Sequence, residues 1–115
     1  MVKIKRAYEA PAAEDGVRLL VDRLWPRGLS KERAGVDHWL KDLAPSNELR
    51  HWFGHDPARW KEFRERYREE LRKVRPAVEE VAGMARRGSV TLLFAARDPD
   101  HNNAVVLREL IEELL

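Results

Sequence analysis

Two short stretches of this 115-residue chain hold most of the side chains that could do chemistry. The first contains Asp22, Arg23, Arg27, Gly28, Ser30 and Lys31; the second contains Arg97, Asp98, Asp100, His101, Asn102 and Asn103. Arginine presents paired N–H donors in a planar fork that matches phosphate or carboxylate oxygens. Arg23, Arg27 and Arg97, with Lys31 and Arg50 as further cations, are therefore candidate ligand-binding groups. Asp22 or Asp98 is the candidate catalytic acid or base, and His101 and Asn102, the latter as an orienting amide, are further candidate ligand-binding residues. Each residue also has a plainer reading. Asp98 or Asp100 can cap the helix that follows, Asp22 can pair with Arg23 or Arg97, and Trp25-Pro26-Arg27-Gly28 can be a rigid turn that buries Trp25.

Other chemistries find little support. The chain has no cysteine, which excludes disulfides, thiolate nucleophiles and Cys-ligated metal. Its four histidines, His38, His51, His55 and His101, are scattered, and only His51 and His55 share helical spacing. Gly54 falls between that pair and is expected to end the helix, so no metal site is expected. No Gly-rich dinucleotide loop, phosphate-binding loop or serine nucleophile elbow occurs, and no cofactor is implied.

The elements that must position these residues follow from apolar periodicity. Val2 and Ile4 alternate with Lys3 and Lys5 as in a strand with one wet face. Val17 to Leu24 carries the apolar run Leu19-Leu20-Val21, a candidate buried strand halted by Pro26 and Gly28. Ser89 to Ala96 is apolar and β-branched, the pattern of a strand covered on both faces. Between Ser30 and Gly54 the spacing predicts two short helices, one carrying Val36, Trp39, Leu40 and Leu43, the second capped by Ser46. From Asp56 as cap and Pro57 a long helix is predicted to about Lys73, with Trp60, Phe63, Tyr67, Leu71 and Val74 on one stripe. Glu62–Arg66 and Glu69–Lys73 are its expected surface pairs. Pro76 kinks or restarts the helix, Val78, Val81, Ala82 and Ala85 continue the apolar face, and a last helix runs from about Asn102 to Leu115.

These elements predict one α/β domain over residues 1–115, with a small, mostly parallel sheet of about three strands covered by helices. If the Val17 and Ser89 strands are parallel neighbours, their C-terminal ends share one edge, where ligands of open α/β sheets bind. Both polar stretches then face one crevice. No apolar run is long enough to span a membrane, and the charged start Met1-Val2-Lys3-Ile4-Lys5 is unlike a signal peptide, so the expected compartment is the cytoplasm. Formal net charge is only +2, from 22 basic and 20 acidic residues, so a general affinity for polyanions does not follow.

The stretch Val17-Arg18-Leu19-Leu20-Val21-Asp22-Arg23-Leu24-Trp25-Pro26-Arg27-Gly28 resembles the most characteristic segment of the YeaO-like family, small bacterial proteins of unknown function. The resemblance continues through Trp39-Leu40-Lys41, Ala44-Pro45-Ser46, Glu48-Leu49-Arg50, His55-Asp56 and Trp60 to Tyr67. It ends with Leu92 to Asp98 and His101 to Ala104. It implies an α/β domain and lends no established reaction. Longer relatives in the same superfamily carry a cysteine-histidine-arginine run where this chain has His101-Asn102-Asn103, so their thiol chemistry does not transfer. Their first two strands are joined by a helix. Here about eight residues connect them, too few for a full crossover helix, which leaves the pairing of the first strand open.

Three functions fit these residues. The leading one is a site for an anionic small molecule, a phosphate or carboxylate compound, with catalysis and simple binding both open. A nucleic-acid-associated module could use the same arginines with the helix from Arg59 to Lys73, but Glu62, Glu65, Glu69 and Glu70 interrupt its charge. A protein-interaction module could use Trp25, Trp39, Trp52 or Trp60 as anchors. No membrane partner is expected, and the oligomeric state is not encoded in any pattern read above.

Overall fold

The computed structural model describes residues 1–115. Four strands, β1 (Val2–Arg6), β2 (Val17–Leu20), β3 (His38–Trp39) and β4 (Val90–Phe94), form one sheet in the order β1-β4-β2-β3, and every pairing is parallel. The helices are α1 (Lys31–Ala34), α2 (Asn47–Phe53), α3 (Trp60–Arg72), α4 (Arg75–Arg87) and α5 (Asn103–Glu113). No helix is long and apolar enough to cross a membrane.

β4 is central because it alone is apolar or neutral at every position, and all five of its residues are buried. Val90, Leu92 and Phe94 join Leu19, Val21 and Val2 in the main core, beneath the apolar faces of α3, α4 and α5. Leu93 and Leu20 point to the other side, where Ala7, Trp25, Leu29, Val36 and Trp39 cover them. One face of the sheet is thus covered by helices and the other by loops and a single turn of helix.

The α3 stripe faces the core as its spacing requires. Phe63, Tyr67 and Leu71 are buried, and Trp60 and Val74 flank them half-buried. Asp56 accepts from the Ala58 N–H at 3.0 Å and Pro57 opens a 3-10 turn, Pro57–Arg59, that leads into the helix. Pro76 restarts the chain as α4 instead of kinking α3. On the wet side Arg66 pairs with Glu62, whereas Glu69 pairs with Arg72 at 2.7 Å and not with Lys73.

The structure corrects one expectation and closes one pairing that was open. Val36 to Leu43 is not a helix. His38–Trp39 forms β3 against β2, and only Lys41–Leu43 coils, as a 3-10 turn. The Trp39 indole donates to the Asp22 carbonyl at 2.8 Å, and Trp25 packs edge-on against it at 5.4 Å. Those tertiary contacts override a spacing that fits a helix equally well. The second concerns β1, whose pairing the short connection left open. β1 lies parallel to β4 on the side away from β2, so Ala7–Gly16 must return across β4. Ten extended residues reach about 33 Å, ample for five residues of strand, so one 3-10 turn (Ala13–Asp15) replaces a crossover helix.

That crossover is anchored by charge. Asp15, almost fully buried, accepts from Lys5 at 2.9 Å and from Arg18 at 2.5 Å. Arg18, also buried, donates to the carbonyls of Ala34 and Gly35 as well. In the sequence Arg18 is a single charge at the head of an apolar run. In the fold it is the buried tie between the crossover, β2 and the end of α1.

Candidate functional site

The C-terminal ends of β2 and β4 open into a crevice of about 870 Å³. Past Leu20 the ladder runs one bond further, from the Val21 N–H to the Leu93 carbonyl at 3.1 Å. The next N–H, that of Ala95, is taken by the Asp22 carboxylate at 2.9 Å. Asn103, the first residue of α5, donates to the other Asp22 oxygen at 3.1 Å and to the Val21 carbonyl at 2.8 Å. Asp22 thus fastens β2, β4 and the start of α5 to one another. Burial pushes its carboxyl above the ordinary aspartate value, against the Ala95 N–H, the Asn103 amide and the charges of His55 and Arg50.

Both polar stretches meet here. Arg23, Arg27, Arg97 and Asp98 line the crevice together with Asp22, and α2 adds Arg50 from the opposite wall. Arg23 is half-buried and donates to the carbonyls of Pro45 (3.2 Å) and Ala44 (3.4 Å), bracing the loop that enters α2. That helix is fixed in turn by Ser46. Its hydroxyl accepts from the Leu49 N–H and donates to Glu70 of α3 at 2.6 Å. Arg50 therefore sits on a clamped scaffold. Its Nε is buried and has no hydrogen-bond partner, and Arg50 donates only to Asn47 at 3.4 Å.

Arg27 occupies the apex of a turn closed by the Leu29 N–H on the Pro26 carbonyl, and the turn depends on Gly28 at φ 78°. Its side chain is exposed, and its carbonyl accepts from the Tyr8 hydroxyl at 2.9 Å. Arg97 is exposed and unpaired. None of the four crevice arginines forms an ion pair with a carboxylate, although seven other arginines of the chain do.

Of the remaining predicted residues, Asn102 also lines the crevice, whereas Lys31 and His101 do not. Lys31 is exposed on α1 and does not line the crevice. Asn102 is buried and caps α5: its oxygen accepts from Val105 at 3.2 Å and its amide donates to the Asp98 carbonyl at 3.0 Å. The final helix is therefore capped by Asn102, not by Asp98 or Asp100. Asp98 instead receives the N–H groups of Asp100 and His101 and the His101 ring at 2.8 Å. The Asp100 N–H and the His101 ring hold its carboxyl below the usual range. His101 packs edge-on against Trp60 and does not line the crevice.

Sequence reasoning places Asn103 in the second polar stretch without a role and gives none to His55 or Tyr8, and all three line the crevice. The Asn102-Asn103 pair carried the usable signal. A helix cap turns its side chain onto its own helix, which leaves the next amide free to reach another element. His55 follows the Gly54 stop of α2 with φ 58°, a left-handed backbone uncommon for a side chain of this kind. Apart from the arginines and aspartates, the crevice also receives the N-terminus of α5, whose backbone N–H groups and dipole favour negative charge.

A family model described as "Inactive DUF488-N3 subclade" matches residues 1–115. An uncharacterised protein of Mycobacterium tuberculosis is 43% identical over 110 residues, covering 96% of this chain and 92% of the relative. The uncharacterised protein YeaO of Escherichia coli is 37% identical over 113 residues, covering 98% of each. No solved structure gives a significant match.

Proposed function

The chain belongs to the DUF488-N3 group in its inactive subclade, and from that premise we propose that it binds a small phosphate or carboxylate compound at the C-terminal edge of its sheet without turning it over. One observation carries this reading: four arginines converge on the crevice with no carboxylate partner, and the Nε of Arg50 is buried with no acceptor. A buried donor left unmade costs free energy that an incoming anion oxygen recovers. Like charges held together are tolerated where an anion comes between them. Arg50 would hold the anion from the wall, Arg27 and Arg97 from the rim, and the start of α5 would add backbone donors. Arg23 already serves the carbonyls of Ala44 and Pro45 and acts as a brace.

The candidate acid and base argue for binding over catalysis. Both oxygens of Asp22 accept hydrogen bonds from Ala95 and Asn103, and both oxygens of Asp98 accept from its own turn. Both carboxylates thereby serve as ties within the fold, Asp22 between β2, β4 and α5 and Asp98 within its own turn. The description of the family as inactive agrees with that arrangement.

Thermal unfolding in sodium sulfate against sodium chloride of matched ionic strength tests the reading. A ligand present at 100 times its Kd stabilises by about 2.7 kcal/mol, which raises Tm by several degrees in a domain of this size. Sulfate also stabilises proteins non-specifically, so the variants carry the decision. Arg97→Ala and Arg50→Ala should fold and lose most of the sulfate-specific rise, while Arg66→Ala, on the far side of α3, keeps it. An equal rise in all four proteins overturns the proposal.

A further inference from the structure

Building on the anion-binding reading of the same crevice, we propose that its ligand is amphipathic: a phosphate or carboxylate head carried on an apolar body. Four large apolar side chains are exposed in this protein, and two of them, Met1 and Leu115, are chain ends. The other two are Tyr8, 42% exposed, and Leu24, 60% exposed, and both line the crevice. They arrive from different segments, Tyr8 from the end of β1 and Leu24 from the end of β2, so their meeting is a property of the sheet edge and not of one loop. Tyr8 is also pinned: its hydroxyl donates to the Arg27 carbonyl, which sets its ring beside the turn that carries the Arg27 guanidinium.

The apolar lining continues inward from this rim. Trp25 is half-buried, Pro26 and Pro45 are buried, and Phe63 closes the floor from the core side of α3. The arginines and the apolar side chains are thus parts of one crevice, the composition expected where a few charged groups orient a largely apolar ligand. Its 870 Å³ falls in the range of roughly 300–1,000 Å³ typical of sites for organic ligands and far exceeds what a bare inorganic anion fills. A ligand consisting of the anion alone would leave Leu24 and Tyr8 in water.

Calorimetric titration of the full chain with inorganic phosphate and with phenyl phosphate, at one pH and ionic strength, tests this. The wild type should bind phenyl phosphate at least about tenfold more tightly than phosphate. Leu24→Ser changes an exposed side chain and should fold. It should lose that advantage and keep its affinity for phosphate, and Leu24→Met should retain the advantage. Equal affinity for the two probes, or an advantage that survives Leu24→Ser, overturns the amphipathic ligand while leaving the anion site standing. If neither probe binds, the anion reading itself fails, and this inference with it.

Discussion

The Asp22 carboxylate is held where burial disfavours its charge. Burial raises its carboxyl above the ordinary aspartate value of 3.8, even though Ala95 and Asn103 both donate to it. Because the folded value lies above the unfolded one, the associated stability is fully present below pH 3.8 and is lost as pH rises through the folded value. Asp22→Asn should remove that step, which a urea-denaturation series across pH 3.5 to about 7 would resolve. The variant should also show a larger sulfate-dependent rise in Tm at neutral pH, since one negative charge leaves the anion's surroundings. An Asn variant with an unchanged pH profile would mean the Asp22 carboxyl titrates alike in both states. At this scale the sequence was partly legible. Asp22, Arg27, Arg97 and Asp98 stood out because each follows an abrupt end to an apolar run, and strand ends place side chains predictably. Asn103 and Arg18 did not, because their roles depend on which distant element comes to meet them. Arg18 is a single charge at the head of an apolar run, and only the crossover and the end of α1 bury it.

Elements that generate their own signal are legible: β4 from its unbroken apolar run, α3 from its stripe, and the apolar face of α4, for which Pro76 left a kink and a restart equally open. β3 is not legible because two residues carry no periodicity, and a His-Trp pair suits a helix or a strand until Trp39 meets Trp25 and Asp22. β1 remained open because strand order depends on what a connection crosses, which local pattern does not record. The crossover depends on one backbone position. Gly16 adopts φ 64° and ψ −136°, and a Cβ there would lie 2.1 Å from the Ser89 carbonyl oxygen, just ahead of β4. The same position begins the β2–β4 ladder, through the Val17 N–H on that carbonyl at 3.0 Å. Gly16→Ala should therefore destabilise by at least about 1–3 kcal/mol from backbone strain alone, with the overlap adding to it. Chemical denaturation should show a lower midpoint at unchanged m-value. A loss below about 0.5 kcal/mol, typical of an ordinary surface substitution, would mean that the crossover enters β2 by another path.

Across the molecule, charge divides between two edges of the sheet. At the C-terminal edge four arginines lack a carboxylate partner, whereas at the start of β2 the buried Asp15 is shared by the buried Arg18 and by Lys5, which reaches it from β1. Burial by itself would raise the Asp15 carboxyl, but hydrogen bonds from Lys5, the Ala12 N–H and Arg18, with the Lys5 charge, outweigh it and hold the group at about 2. A folded value below the unfolded 3.8 means that this stability is present above pH 3.8 and lost as pH falls toward 2. Glu113, held low by Arg68, and Asp98, held low within its own turn, act in the same direction. Protonation of the 20 acidic residues also leaves 22 lysines and arginines and four histidines without counter-charge, so repulsion opposes the compact state. The protein should keep its near-ultraviolet circular dichroism to about pH 4 and lose it between about pH 4 and 2 at low ionic strength. Asp15→Asn should cost about 3–5 kcal/mol near neutral pH, because it leaves Arg18 buried without its counter-ion. Where that variant is too unstable to study, carboxyl NMR of the wild type reads the same quantity directly. An Asp15 midpoint near 3.8 instead of near 2 would show that the buried pair contributes nothing to the acid limb of stability.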